Sequence, residues 1–330
     1  MSFIRYEQDD SVVSSETVVT GLFSGNTGSL TTFFTSSGFT EYYLNIYNNN
    51  PLSNLSSSVQ FSIQYGNLYG SGSALLNSLV TGSSPSRIIY GQYRNLVYGT
   101  EETNFSFDGG TTTAEDIYII NFNRSCYKEA ILPGALNICL KNGASELRIT
   151  DDSNISKTTN FIGSNRYYNI ISGSNGSAYT SSAASIYYGM LFPDLNIVVL
   201  KASGSNSVYS YVPVLVKTQV ANYNATKLWN SISSSGASNI PFRAQSSETI
   251  SSRYFFTRVK NANFNYTTNP SVIDSNGNLL YTNLINNPQT YITTVGLYND
   301  NNELLAVAKL SRPLVKDFTK ESNIRIKLDY

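Results

Sequence analysis

The eight residues Val59-Gln60-Phe61-Ser62-Ile63-Gln64-Tyr65-Gly66 limit what this chain can fold into more than any other stretch. Val59, Phe61, Ile63 and Tyr65 sit at every second position, with Gln60, Ser62 and Gln64 between them. A period of two lines one face of a strand, whereas a helix would scatter the same side chains around its circumference. The alternation returns at Tyr42, Leu44 and Ile46, and at Tyr291, Thr293, Val295 and Leu297. It returns again at Ile324, Ile326, Leu328 and Tyr330, set against Arg325, Lys327 and Asp329. The run Asp116–Phe122 (DIYIINF) is apolar at odd and even positions alike, which predicts a central strand buried on both faces.

Composition points the same way. Only 13% of residues are charged, about half the usual ~25%, and 25 Tyr and 16 Phe stand beside two Met and one Trp. Aromatic, β-branched and turn-forming residues favour strands joined by turns. A length of 330 residues exceeds what a single core ordinarily serves. The expected fold class is therefore mainly β, with two or three antiparallel β-sandwich-like domains, long loops and little helix. Four segments are expected: an N-terminal β domain over 1–152, and a Ser/Asn/Tyr-rich middle β region over 153–252 with one short helix at 224–235. An extended aromatic arm over 253–290 and a C-terminal hairpin-plus-strand unit over 291–330 follow. In that last unit Asn299–Asn302 forms the hairpin loop, Pro313 interrupts, and three strands present one wet face.

Several chemistries are absent from the sequence. There is no histidine, so the commonest general base and zinc ligand are missing, along with every Ser-His or Cys-His pairing. No phosphate-binding loop or nucleophile elbow occurs. The acidic pairs Asp9-Asp10, Glu101-Glu102 and Asp151-Asp152 read as solvated turn residues. Neither Asp300 nor Asp151-Asp152 has calcium-loop spacing. The reading is of a non-enzyme without cofactor, metal or small-molecule substrate. Net charge is zero, with 22 basic and 22 acidic residues, so no basic excess favours nucleic acid. Cys126 and Cys139, thirteen residues apart, could face each other across a hairpin; the favoured reading is two reduced, buried thiols. The start, MSFIRYEQDD, has no apolar leader core, and no run reaches the ~18 apolar residues a membrane helix needs. Synthesis in a host cytoplasm, with no membrane association, is expected.

What remains is an aromatic cluster: Tyr254, Phe255, Phe256, Phe264 and Tyr266, interleaved with Arg253, Arg258 and Lys260. It imitates a platform for single-stranded nucleic acid, but a strand packing in its own core or against a partner subunit explains it better. Together with Ile324, Ile326 and Leu328 it forms the candidate partner interface.

Four stretches carry a resemblance: SPSRIIYGQYRNLVYG, DIYIINFNRSCYKEAILPG, RYFFTRVKNANFNYTTNPS and TYITTVGLYNDNNELLAVAKLSRPL. Together they resemble a family of virion structural proteins of contractile-tailed phages, notably those of marine cyanobacteria, over roughly 84–143 and 253–330. The resemblance implies an assembly component of the tail or baseplate, located in the virion. Its partners would be other virion proteins and copies of itself, and no catalytic residue is implied. The rival readings are a receptor-binding adhesin or polysaccharide-degrading tail protein, and a neck or head-decorating protein.

Overall fold

The computed structural model describes residues 4–23, 25–30, 34–35, 42–107, 112–142, 145–155, 159–202, 223–233, 241–267 and 269–329. The molecule is mainly β, with 45% strand and 13% helix, and its large antiparallel sheets include one that curls as a half-barrel. In chain order the first strands are β1 (Ser11–Gly21), β2 (Ser29–Leu30), β3 (Phe34–Thr35), β4 (Tyr43–Tyr47) and β5 (Val59–Asn67). Helix α1 (Pro85–Tyr98) precedes β6 (Asp116–Phe122), β7 (Ala130–Ile131), β8 (Asn137–Asn142) and β9 (Ser145–Asp151). Then come β10 (Asn160–Ile162), β11 (Asn165–Ser174), β12 (Ser177–Ala178), β13 (Gly189–Phe192) and β14 (Ile197–Lys201). Helix α2 (Tyr223–Ser233) leads to β15 (Phe242–Arg243) and β16 (Gln245–Val259). Helix α3 (Thr282–Asn286) leads to β17 (Thr290–Tyr298), β18 (Leu304–Lys316) and β19 (Ser322–Asp329).

Two compact units result, one of residues 17–248 and one of residues 1–16 with 249–330. The boundary expected at 152/153 falls inside a single sheet, because β9 pairs with β11 across it, Ile171 opposite Thr150. That sheet runs β2-β15-β8-β9-β11-β13-β14-β6-β5-β4-β3, with β10 and β12 appended to β11. Residues 153–155 are turn, and Asn160–Ile162 is β10, paired with β11 in the same sheet.

Strand β6 lies between β5 and β14, as its two-sided apolar pattern requires. Ile120 faces Ile63 on one side and Val198 on the other, and all three join one core. Ile117 and Ile119 point the opposite way, into a second core with Val199, Phe192 and the buried face of α1. The sheet is thus covered on two faces, by α1 on one and by the Ala225, Leu228, Trp229 and Ile232 face of α2 on the other. On the α2 side the sheet also meets itself: the Phe61 and Phe242 rings stack with centroids 4.9 Å apart. The larger unit is a curled sheet with a helix packed against each face, and Ile131 of β7 also joins the core on the α2 side.

Helix α1 lies in a stretch to which the sequence reading gave no helix. Its signals are present. Pro85 occupies the first turn, where its missing N–H costs nothing. Ile89, Tyr90, Tyr93 and Val97 recur at helical spacing and are buried. Gly99 ends the helix at φ 70°, donating its N–H to Asn95 O at 2.9 Å. The short helix expected at 224–235 is α2.

In the smaller unit β16 pairs with β1 on one side and β19 on the other. The expected arm over 253–290 is therefore not one: Arg253–Val259 is regular strand, registered against Leu328–Ser322 of β19. Beyond it, the described residues of 260–289 form turns, irregular chain and the short α3. Aromatic side chains on both faces of β16 hid its period of two. The hairpin β17–β18 forms as expected, with Tyr298 opposite Leu304 across the polar loop. Strand β19 does not join it, so the expected three-stranded C-terminal unit is a correction: the third strand completes the β16 sheet. Pro313 does not end β18. It sits in an irregularity where the register jumps from Ile292↔Leu314 to Thr294↔Lys309, a place that tolerates a missing N–H donor. Tyr330 lies outside the described residues.

Candidate partner-binding surface

Strand register decides which of the expected interface residues are available. Cross-strand partners share a face, so Phe255 goes with Ile326, and Thr257 with Ile324. This face is the unit's own core: Val259, Ile324 and Ile326 are buried, packed against Phe255, Phe264, Ile292, Val295 and Leu314. Ile324 and Ile326 are only 7% and 6% exposed. Phe255 also meets the Tyr6 ring at 5.6 Å. Within the unit these residues face one another, Ile324 and Ile326 buried and Phe255 and Phe264 half-buried. Leu328 is half-buried at the end of β19, opposite Arg253, and Tyr266 is exposed with its hydroxyl donating to Gly277 O at 2.9 Å.

Tyr254 and Phe256 point the other way, opposite Lys327 and Arg325. The Arg325 guanidinium lies 5.4 Å from the Tyr254 ring centre, a cation–π contact. Lys327 Nζ is 3.0 Å from Asp329, and Arg258 Nη2 is 2.7 Å from Glu321. Ser252 donates to Asp329 at 2.6 Å, and this bond with the nearby Lys327 holds the Asp329 carboxyl below its usual range. Arg258 does the same for Glu321. Arg258, Arg325 and Lys327 thus stand in internal pairs on a mixed polar and aromatic face.

A second feature of this unit is Lys316 at the end of β18, with no exposed surface. Its ammonium donates to Asn261 O at 2.8 Å, Asn265 Oδ1 at 2.9 Å and Asp317 O at 2.7 Å. Each of its three protons has an oxygen, which is what a buried ammonium requires. The lysine ties the 261–265 turn to the hairpin.

The apolar balance of the unit is the feature that sequence inspection missed. Among the described residues only three hydrophobic side chains are fully buried in it, Val259, Ile324 and Ile326. By contrast Tyr281, Ile285, Tyr291, Leu305, Val307 and Phe318 are each 57–67% exposed. On the hairpin, Val295, Leu297, Ala306 and Ala308 face inward. The Tyr298 ring lies over Gly296, where an added Cβ would come within 2.8 Å of it, and Leu304 closes against the same glycine. Leu304 and Val307 extend this outward apolar surface at 52% and 60% exposure.

In the larger unit the acidic pair Asp151-Asp152 is buried rather than solvated, which corrects the sequence reading. Asp151 accepts the Gly134 N–H at 2.8 Å and the Ser153 N–H at 3.2 Å. Asp152 accepts from the Asn169 backbone and side chain, both at 2.9 Å. Burial pushes both carboxyls above the ordinary range. They serve to pin turns. Cys126 and Cys139 are not joined in a disulfide; Cys139 is buried and Cys126 half-buried, and burial pushes the Cys126 thiol up. Cys126 borders an open cleft of about 440 Å³ with Leu22, Phe23, Asn26, Tyr127 and Lys128. Among the described residues no group of three His, Cys, Asp or Glu side chains could hold a metal ion.

The chain matches no family model, no curated protein and no solved structure.

Proposed function

We propose that the chain is a structural component of a tailed-phage virion, a baseplate or tail assembly protein that acts through protein–protein interfaces. The observation that carries this reading is the apolar imbalance of the unit formed by residues 1–16 and 249–330. Among the described residues, three buried hydrophobic side chains make a slight core for a unit of that size, while large apolar side chains stand open on its hairpin. A protein whose neighbours bury that surface in an assembled particle needs no larger core of its own. Zero net charge and few charged residues also suit close packing among subunits, because they leave little long-range repulsion. The resemblance of residues 84–143 and 253–330 to virion structural proteins gives the reading its biological setting.

The test is the protein content of purified particles of the phage that encodes the chain. Antibody raised against the chain should detect it in intact particles and, after dissociation, in the tail or baseplate fraction. Detection only in lysed host cells, with none in purified particles, would overturn the proposal.

A further inference from the structure

Strand β1 is unusual for a strand at the end of a sheet. Among the described residues it pairs only with β16. Its side chains are open on both faces, with Val12 50%, Val13 53% and Val19 43% exposed. Free sheet edges are ordinarily protected by lysine, proline or a bulge. Over its eleven residues β1 carries one charge, Glu16, with no lysine, arginine or proline.

The residue order supplies an occupant for the free edge. Counting outward from Ser15, Ser14 is mirrored by Glu16, Val13 by Thr17, Val12 by Val18 and Ser11 by Val19. Two antiparallel strands related by a two-fold axis have that axis perpendicular to the sheet, and it passes where a residue faces its own copy. The centre is therefore a residue and never the gap between two. Centring on Glu16 sets two carboxylates directly opposite each other, which repels. Centring on Ser14 sets Val12 against Glu16. Centring on Ser15 sets Val12 against Val18 and Val13 against Thr17, two β-branched pairs on each side of the axis, with each Glu16 facing a serine. We infer that β1 pairs antiparallel with β1 of a second copy of this chain, centred on Ser15. The β1-β16-β19 sheets of the two copies then form one continuous sheet through a two-fold dimer. Main-chain hydrogen bonds supply the attraction, as in other strand additions, and the side-chain pairs select the register. The inference is independent of the virion reading.

Sedimentation velocity on the full chain between 1 and 100 μM, with four exposed-site variants, tests it. The native chain should show a monomer–dimer equilibrium in this range. Ser14→Glu sets two Glu–Glu pairs across the interface and should weaken the dimer several-fold to about tenfold. Ser14→Lys sets Lys against Glu16 and should preserve or tighten it. Ser15→Cys should form a disulfide-linked dimer under mild oxidation, while Val12→Cys, whose partner is Val18, should not. Circular dichroism establishes that each variant retains its fold. A native chain that stays monomeric at 100 μM overturns the inference. So does a dimer that Ser14→Glu and Ser14→Lys affect equally, or one in which Ser15→Cys fails to cross-link.

Discussion

Lys316 shows what one residue can hold in place. Its buried ammonium satisfies two backbone carbonyls and the Asn265 amide oxygen. Lys316→Met keeps most of the volume and removes all three bonds, leaving three acceptors in a site built to exclude water. Partial rehydration limits the cost to about 3 kcal/mol, visible as a lower urea midpoint for the unit of residues 1–16 and 249–330. A shift below about 0.5 kcal/mol would mean that water already reaches the site. The carboxyls give a pH dependence of opposite sign in the two units. Asp317, Glu321 and Asp329 are held low, by Thr319, Arg258 and Ser252 respectively. A depressed folded-state value stabilises above the unfolded value, and that contribution is lost as pH falls through the folded one. Asp151 and Asp152 are raised by burial, so their contribution is present below the unfolded value and lost as pH rises through the folded one. Acidification from pH 6 to about 3.5 should therefore loosen the smaller unit first. Amide exchange corrected for intrinsic rates should show protection falling along β16 and β19 before it falls along β6 and β14. The reverse order would contradict these assignments.

At the scale of elements, β19 and α1 carry separable loads. β19 supplies Ile324 and Ile326, two of the three fully buried hydrophobic side chains of its unit, and eight residues of register with β16. Truncation at residue 290 removes it along with the hairpin, stripping Ile324, Ile326, Ile292 and Leu314 from around Phe255 and Val259. The expected outcome is loss of the smaller unit, read as rapid amide exchange over 249–259, while β5, β6 and β14 keep their protection. Ile326→Asp should act alike, because it buries a carboxylate among Val259, Phe264 and Leu314 at a cost of at least 3 kcal/mol. In α1 the Tyr90 hydroxyl donates to Ala114 O at 2.9 Å and accepts the Phe105 N–H at 3.1 Å. It thereby fixes both ends of the 105–114 segment to the helix. Tyr90→Phe leaves two buried backbone groups unpaired and should cost about 2 kcal/mol in chemical unfolding of the larger unit. A neutral result would require that segment to find other partners.

At the scale of the whole molecule, the two units differ in how much apolar surface each buries. The larger one has a sheet with helices on both faces and two extended cores. The smaller one has, among the described residues, three buried hydrophobic side chains and a hairpin with exposed apolar side chains. In the free chain, limited proteolysis should cut first within 260–318, where turns and exposed apolar side chains concentrate, and leave 42–107 intact. In purified particles the same sites should be protected. Equal cleavage in the two states would mean that no neighbour covers the hairpin.

Alternation and residue type were enough to read β4, β5, β6 and the β17–β18 hairpin, because a period of two needs only local order. The character of β6 was also legible, since no amphipathic element is apolar on both sides. Helix α2 was visible for the same local reason. Helix α1 could have been read from Pro85, the spacing of Ile89, Tyr90, Tyr93 and Val97, and Gly99; its tyrosines and arginines masked that spacing. Which strand pairs with which was not local. β19 looks like a third strand for the hairpin that precedes it, and only the register of Phe255 with Ile326 assigns it to β16. The candidate surface was half legible for the same reason: the aromatic cluster could be seen, but its division between an inward Phe255 and an outward Tyr254 and Phe256 follows from pairing. The buried Asp151 and Lys316 were illegible because polar sequence marks a surface unless tertiary packing brings partners to every donor and acceptor. Local sequence therefore determined where this chain is extended and which residues share a strand face. Tertiary structure alone decided which of those faces are covered, because cover comes from residues far away in the chain.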